Sequence, residues 1–133
     1  MPDVTVKRVE DFEAIFGGGF RRARAGLGVS SFGLAVIDLP ANFSHYPEHD
    51  QTHDDQEEVF VALRGSGELE VDGERMPLDN EHIARVGPLA KRKVWSGPEG
   101  IRVLILGGTP GQVYSPPAVS EIGGPDPKVP GRA

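Results

Sequence analysis

The stretch QTHDDQEEVFVALRGSGELEVDGE, residues 51–74, decides how this chain folds. Its apolar run at residues 58–63 is bounded by Gly65 and Gly67, and residues 68–71 alternate before reaching Asp72-Gly73. That dipeptide accepts the positive φ of a two-residue hairpin turn, so the chain returns through Arg75 and Pro77. Short strands joined by sharp corners follow. At the front of the stretch, a strand would put Gln51 and His53 on one side, and an antiparallel neighbour would bring Glu58 there too. Three polar groups are expected to converge.

Working outward, residues 31–39 read SFGLAVIDL, with Phe32, Leu34, Val36 and Asp38 on one face and Gly33, Ala35, Ile37 and Leu39 on the other. Both faces are largely apolar, which predicts a strand covered on both sides. Residues 82–86, 93–95 and 101–106 read as three more strands, with Gly97-Pro98-Glu99-Gly100 turning between the last two. Residues 5–8 form a candidate edge strand, and Asp11 is a candidate N-cap for a helical turn through Ala14 and Phe16 that Gly17, Gly18 and Gly19 stop. Seven or eight short strands at this spacing imply an all-β sandwich or barrel. The boundaries read are an N-terminal extension at 1–27, a barrel at 28–114 and a Pro/Gly-rich arm at 115–133, with Tyr114 pinning the start of the arm. No internal repeat is present.

Composition narrows the chemistry. A chain of 133 residues supports one domain and one core, and 18 Gly with 12 Pro are the punctuation of many tight turns. With no Cys, any metal must be held by imidazole, carboxylate or amide groups. A net charge of -6 argues against nucleic acid, because the basic cluster Lys91, Arg92 and Lys93 is local. The charged N-terminal residues and the lack of a long apolar run predict a cytoplasmic protein without a membrane partner.

The spacing His53, four residues, Glu58, six residues, Gly65, followed by the GSG corner, the VDGE hairpin and a VLILGG strand, resembles the cupin superfamily from roughly residue 33 to 108. The resemblance implies a double-stranded β-helix, or jelly roll, with a site inside the barrel. In cupins that site is His-x-His, a Glu and a later His holding a metal. Here Gln51 stands for the first His and Arg92 for the last, while Glu81, Gly87 and Leu89 replace the Gly and Pro of the second motif. A guanidinium has no lone pair and stays protonated, so Arg92 is no ligand. It is expected instead to take the place of the cation and pair with Glu58 inside the barrel.

Several residues compete for roles. Counting from Gly65 and from His53 favours Glu58 over Glu57, which then faces water. His45 and His49 lie in a polar loop with Glu48, Asp50, Asp54 and Asp55, as substitute ligands or as hydrated surface. His82 reads as structural. Phe60 and Trp95 are ligand-stacking walls or core, with core favoured. Strand alternation sends Lys91 and Lys93 to the face opposite Arg92. Two functions stay open. One is a module binding a small molecule through Gln51, His53, Glu58, Arg92, Phe60 and Trp95. The other is a metal-dependent oxygenase or isomerase with His53, Glu58 and Gln51 holding iron, manganese, nickel or zinc. The resemblance also implies a homodimer, through edge strands or exchange of the terminal arm.

Overall fold

The computed structural model describes residues 2–124. Seven strands and one short helix follow in order among these residues. They are β1 (Ala14–Ile15), β2 (Phe20–Arg21), α1 (Ala23–Leu27), β3 (Gly33–Leu39), β4 (Glu57–Val71), β5 (Glu74–Leu78), β6 (Ile83–Val86) and β7 (Arg92–Gly108). All pairings are antiparallel, in the order β1-β2-β3-β7-β4-β5, with β6 paired to β4. The architecture is all-β. No helix among the described residues is long and apolar enough to cross a membrane.

Two strands are far longer than the sequence suggests. The glycines of Gly97-Pro98-Glu99-Gly100 do not end a strand, because β7 runs unbroken through them, just as β4 runs through Gly65-Ser66-Gly67. The two strands bend together instead, with register shifts at Ala62/Arg64 and Gly65/Gly67. Gly65 and Gly100 have φ of +73° and +77°, and a Cβ on Gly65 would collide with the Gly100 carbonyl. Glycine is required there by close backbone approach as well as by conformation. The Asp72-Gly73 hairpin forms as read, joining β4 to β5 with positive φ at both residues.

The barrel core lies on one face of these strands. It includes Ile37 and Leu39 from β3, Phe60, Ala62 and Leu69 from β4, and Val94, Ile101, Val103 and Ile105 from β7. Each of these side chains larger than Ala62 contributes roughly 1.5–3 kcal/mol on burial. Val36, one residue out of phase, packs outside against Phe12 and Ala23, so β3 is covered on both sides.

The N-terminal region departs from the reading. Residues 5–8 form no strand, and Asp11 ends the 3-10 turn Val9–Asp11 rather than capping a helix. Ala14 and Ile15 pair with β2, which pairs with β3. The open edge of the sheet offers unmet hydrogen bonds that an isolated helical turn cannot match. The helix comes later, at α1, closed by Gly28 at φ 81°. Its buried Arg22 and Arg24 flank hold the arm: Arg22 Nε donates to the Val119 carbonyl at 2.8 Å, Nη2 to Gly124 at 2.6 Å, and Arg24 Nη2 meets Glu121 at 3.2 Å. Residues 125–133 of the arm lie outside the described residues.

Candidate functional site at the wide end of the barrel

Alternation along β4 turns Glu58, Phe60 and Ala62 inward. In register with Phe60 stand Ile105 and, beyond it, Ala35; in register with Glu58 stand Gly107 and Gly33. The Phe60 row is filled by its own side chains, whereas at the Glu58 row the two glycines make room for polar atoms from elsewhere, Gln56 Oε1 over Gly107 and the Tyr114 phenol over Gly33. An open cavity of about 1270 Å³ begins there and extends to Phe16 and Arg21 at the sheet edge. Tyr114 covers Gly33, its phenol oxygen 3.0 Å from where a Cβ would sit.

The loop before β4 is tied to the other side of the barrel. His49 and Arg92 exchange backbone hydrogen bonds of 3.1 and 2.8 Å, and the Gln51 N–H donates to the Pro88 carbonyl at 2.9 Å. Tyr46, His49 and Gln51 are thereby carried to the cavity beside Glu58. Burial pushes the Tyr46 phenol up.

Arg92 is fully buried and projects inward, in phase with Val94. Its Nε lies 3.7 Å from Glu58 Oε1, and its Nη2 donates to the Gly87 carbonyl at 2.7 Å. Nε and Nη1 have no hydrogen-bond partner among the described residues. The Glu58 side chain is only 15% exposed. Burial raises its pKa above the ordinary value, opposed by Arg92 and then by the imidazole of His49. The contact is an ion pair at a distance longer than a charge-assisted hydrogen bond.

Other residues from the sequence reading lie elsewhere. Gln51 and His53 do not share a strand, because residues 52–55 turn, with Asp55 at φ 56° and Thr52 bonded through N and Oγ1 to Asp50. Alternation fails in a turn. Gln51 stays buried with its amide on Asp54 at 3.1 and 3.2 Å, while the His53 ring is 72% exposed and 3.3 Å from Asp54. Phe60 is wholly enclosed by core and shows no face to the cavity. Trp95, out of phase with inward Val94, points outward under Arg75 and Lys93 and lines a separate cleft of about 360 Å³. Neither aromatic walls the cavity.

Glu57 faces out to Arg85 at 2.7 Å. Lys91 is exposed, His45 is exposed with its ring edge-on to Phe43, and His82 bonds Asp79 at 2.7 Å. Gln56 was passed over in the sequence because it sits in a polar run, although alternation carried back from Phe60 through Glu58 reaches it. It is buried, lines the cavity and sets its Oε1 beside Gly107.

The family resemblance implies a divalent metal, and the residues do not fit one. No group of three or more His, Asp or Glu among the described residues is placed to hold a cation. The Gln51 amide is taken by Asp54, His53 turns outward, and a guanidinium already faces Glu58. His49 has its Nδ1 2.9 Å from the Pro47 carbonyl.

The seven antiparallel strands among the described residues form a jelly-roll barrel with a cavity in it, and comparison makes the fold specific. A cupin protein from Bacteroides fragilis superposes with a TM-score of 0.65 at 19% identity, covering 88% of this chain and 93% of that one. A sugar phosphate isomerase from a cupin superfamily, from Silicibacter pomeroyi, gives 0.62 at 16%, covering 84% and 77%. A protein from Photorhabdus luminescens gives 0.61 at 11%, covering 83% and 90%. The chain has the cupin fold. No family model and no curated protein matches its sequence.

Proposed function

We propose that this protein binds a small organic molecule in the cavity beside Glu58 and does so without a resident metal. The observation that carries the reading is the open cavity of about 1270 Å³ that reaches the nearly buried Glu58 carboxylate, with the polar ends of Gln56 and Tyr114 laid over the glycines of its row. Apolar walls from Ala35, Ile37 and Ile105 with a few convergent polar groups are the usual make-up of such a site. Arg92 supports the reading as the buried counter-charge for Glu58, the office a metal fills where the ligand set is intact.

The test is metal content and native mass spectrometry on protein purified without chelator or affinity tag. The expected result is no stoichiometric iron, manganese, nickel or zinc, together with a small-molecule adduct that disappears in an Ala35→Phe variant. Near-stoichiometric metal, lost in both Glu58→Gln and His53→Ala, would overturn the proposal in favour of the metalloenzyme reading.

A further inference from the structure

The polar groups that open into the cavity carry unused acceptors. The Glu58 carboxylate accepts no hydrogen bond among the described residues, its nearest partner being Arg92 Nε at 3.7 Å. Two residues earlier on the same face, Gln56 is only 9% exposed. Its backbone N–H donates to Asp54 Oδ1 at 3.1 Å, but its side-chain amide makes no hydrogen bond among the described residues and reaches over Gly107 into the cavity. The amide opens onto the cavity and is engaged by no other side chain, so a molecule held there would meet it directly.

Charge decides the kind of partner. Arg92 has no exposed surface and does not reach the cavity wall. Farther out along the cavity Arg21 and Arg102 are taken by Asp38 and Glu10, and the exposed Arg64 stands six residues along β4 from Glu58, beside Gly65. The inner wall therefore meets a ligand with the carboxylates of Glu58 and Asp54 and with the imidazole of His49, while His53 stands at the exposed rim. An anionic head would face like charge with no free guanidinium in reach. An ammonium or hydroxyl head would donate to the Glu58 carboxylate and to the Gln56 side-chain carbonyl, while its apolar body lies on Ala35, Ile37 and Ile105.

We infer that the cavity selects a small neutral or cationic molecule with an amine or alcohol head seated between Glu58 and Gln56, and that Gln56 is a specificity-determining residue. The inference rests on the proposed binding function and specifies its ligand class. It is tested by NMR titration of the full-length protein with three probes of one apolar shape: cyclohexylamine, cyclohexanol and cyclohexanecarboxylate.

The expected result is that the amine or the alcohol shifts backbone resonances of residues 56–58 and binds at least about tenfold more tightly than the carboxylate. Gln56→Leu should remove most of that preference. This variant discards an unpaired buried amide, so it should fold at least as well as the wild type, whereas Glu58→Gln strands Arg92. Carboxylate binding equal to or tighter than the other two would overturn the ligand class while leaving a binding cavity in place. Unaltered affinities in folded Gln56→Leu would overturn the role of Gln56. Failure of all three probes to perturb the cavity would bring down both this inference and the proposed function.

Discussion

Two ionic clusters stand on opposite sides of the same sheet, and they use their hydrogen bonds in opposite ways. On the outer face Asp38 takes Arg21 Nε and Arg102 Nε at 2.7 Å each, and Arg102 Nη1 goes on to Glu10 at 3.1 Å. Inside, Glu58 and Arg92 stand 3.7 Å apart, with two guanidinium N–H groups unpaired. The outer cluster spends its donors on joining β2, β3 and the N-terminal turn. The inner one leaves capacity open where a cavity begins. A saturated network holds structure; an unsaturated one at greater cost in desolvation is placed for something else.

The largest expected effect comes from Arg92→Met. Removing the counter-charge of a buried carboxylate should destabilise the protein by about 3–5 kcal/mol, and the double variant Arg92→Met with Glu58→Leu should recover most of that. Urea unfolding of both measures it. A neutral single variant would break the comparison by showing that the inner pair carries no net interaction.

Asp38→Asn should cost only about 1 kcal/mol, since the carboxylate is 22% exposed and solvent screens it. Its penalty should shrink further in about 1 M salt, where the Debye length is roughly 3 Å, while that of Arg92→Met stays. Equal salt sensitivity of the two penalties would erase the distinction between inside and outside.

The smallest effect is in pH. Glu58 is held above its ordinary 4.5 by burial, so the folded state binds its proton more tightly than the unfolded chain. Its contribution to stability is complete below 4.5 and is lost as pH rises through the folded value. For Asp38, burial works upward, but the hydrogen bonds of Arg102 and Arg21 outweigh it and hold the group below 3.8. Its contribution is present above 3.8 and is lost as pH falls through the depressed value. Carboxyl-detected NMR should show the two groups titrating on opposite sides of their ordinary values. A Glu58 that titrates below 4.5 would make the inner pair a plain salt bridge.

Legibility differed from residue to residue for physical reasons. The Asp72-Gly73 hairpin and the inward phase of Phe60 were readable because turn chemistry and period-two alternation are local. Applied one step earlier, the same alternation would have found Gln56. The position of His53 is not legible in this way, because the spacing of a family motif implies a strand where Asp50 and Asp55 turn the chain. The helix was sought before Gly17 because the capping pattern was local, while the edge of β3 claimed Ala14, Ile15, Phe20 and Arg21.

The sequence by itself determined an all-β barrel, the absence of thiolate chemistry, and a guanidinium where a metal ligand would be expected. The first two follow from residue types and their periodicity, and the third from the resemblance of the His53–Glu58–Gly65 spacing to a family motif; no packing alters any of them. Only the tertiary structure decided that Arg92 lies behind Glu58, out of the cavity, that His53 faces solvent, and that Gly33 and Gly107 fall in the row of Glu58. The exposure of His53 depends on the turn at residues 52–55, and the other two depend on strand register between segments far apart in the chain. Register is set by the packing of the whole core, and a shift of one residue would turn a strand's side chains to the other face.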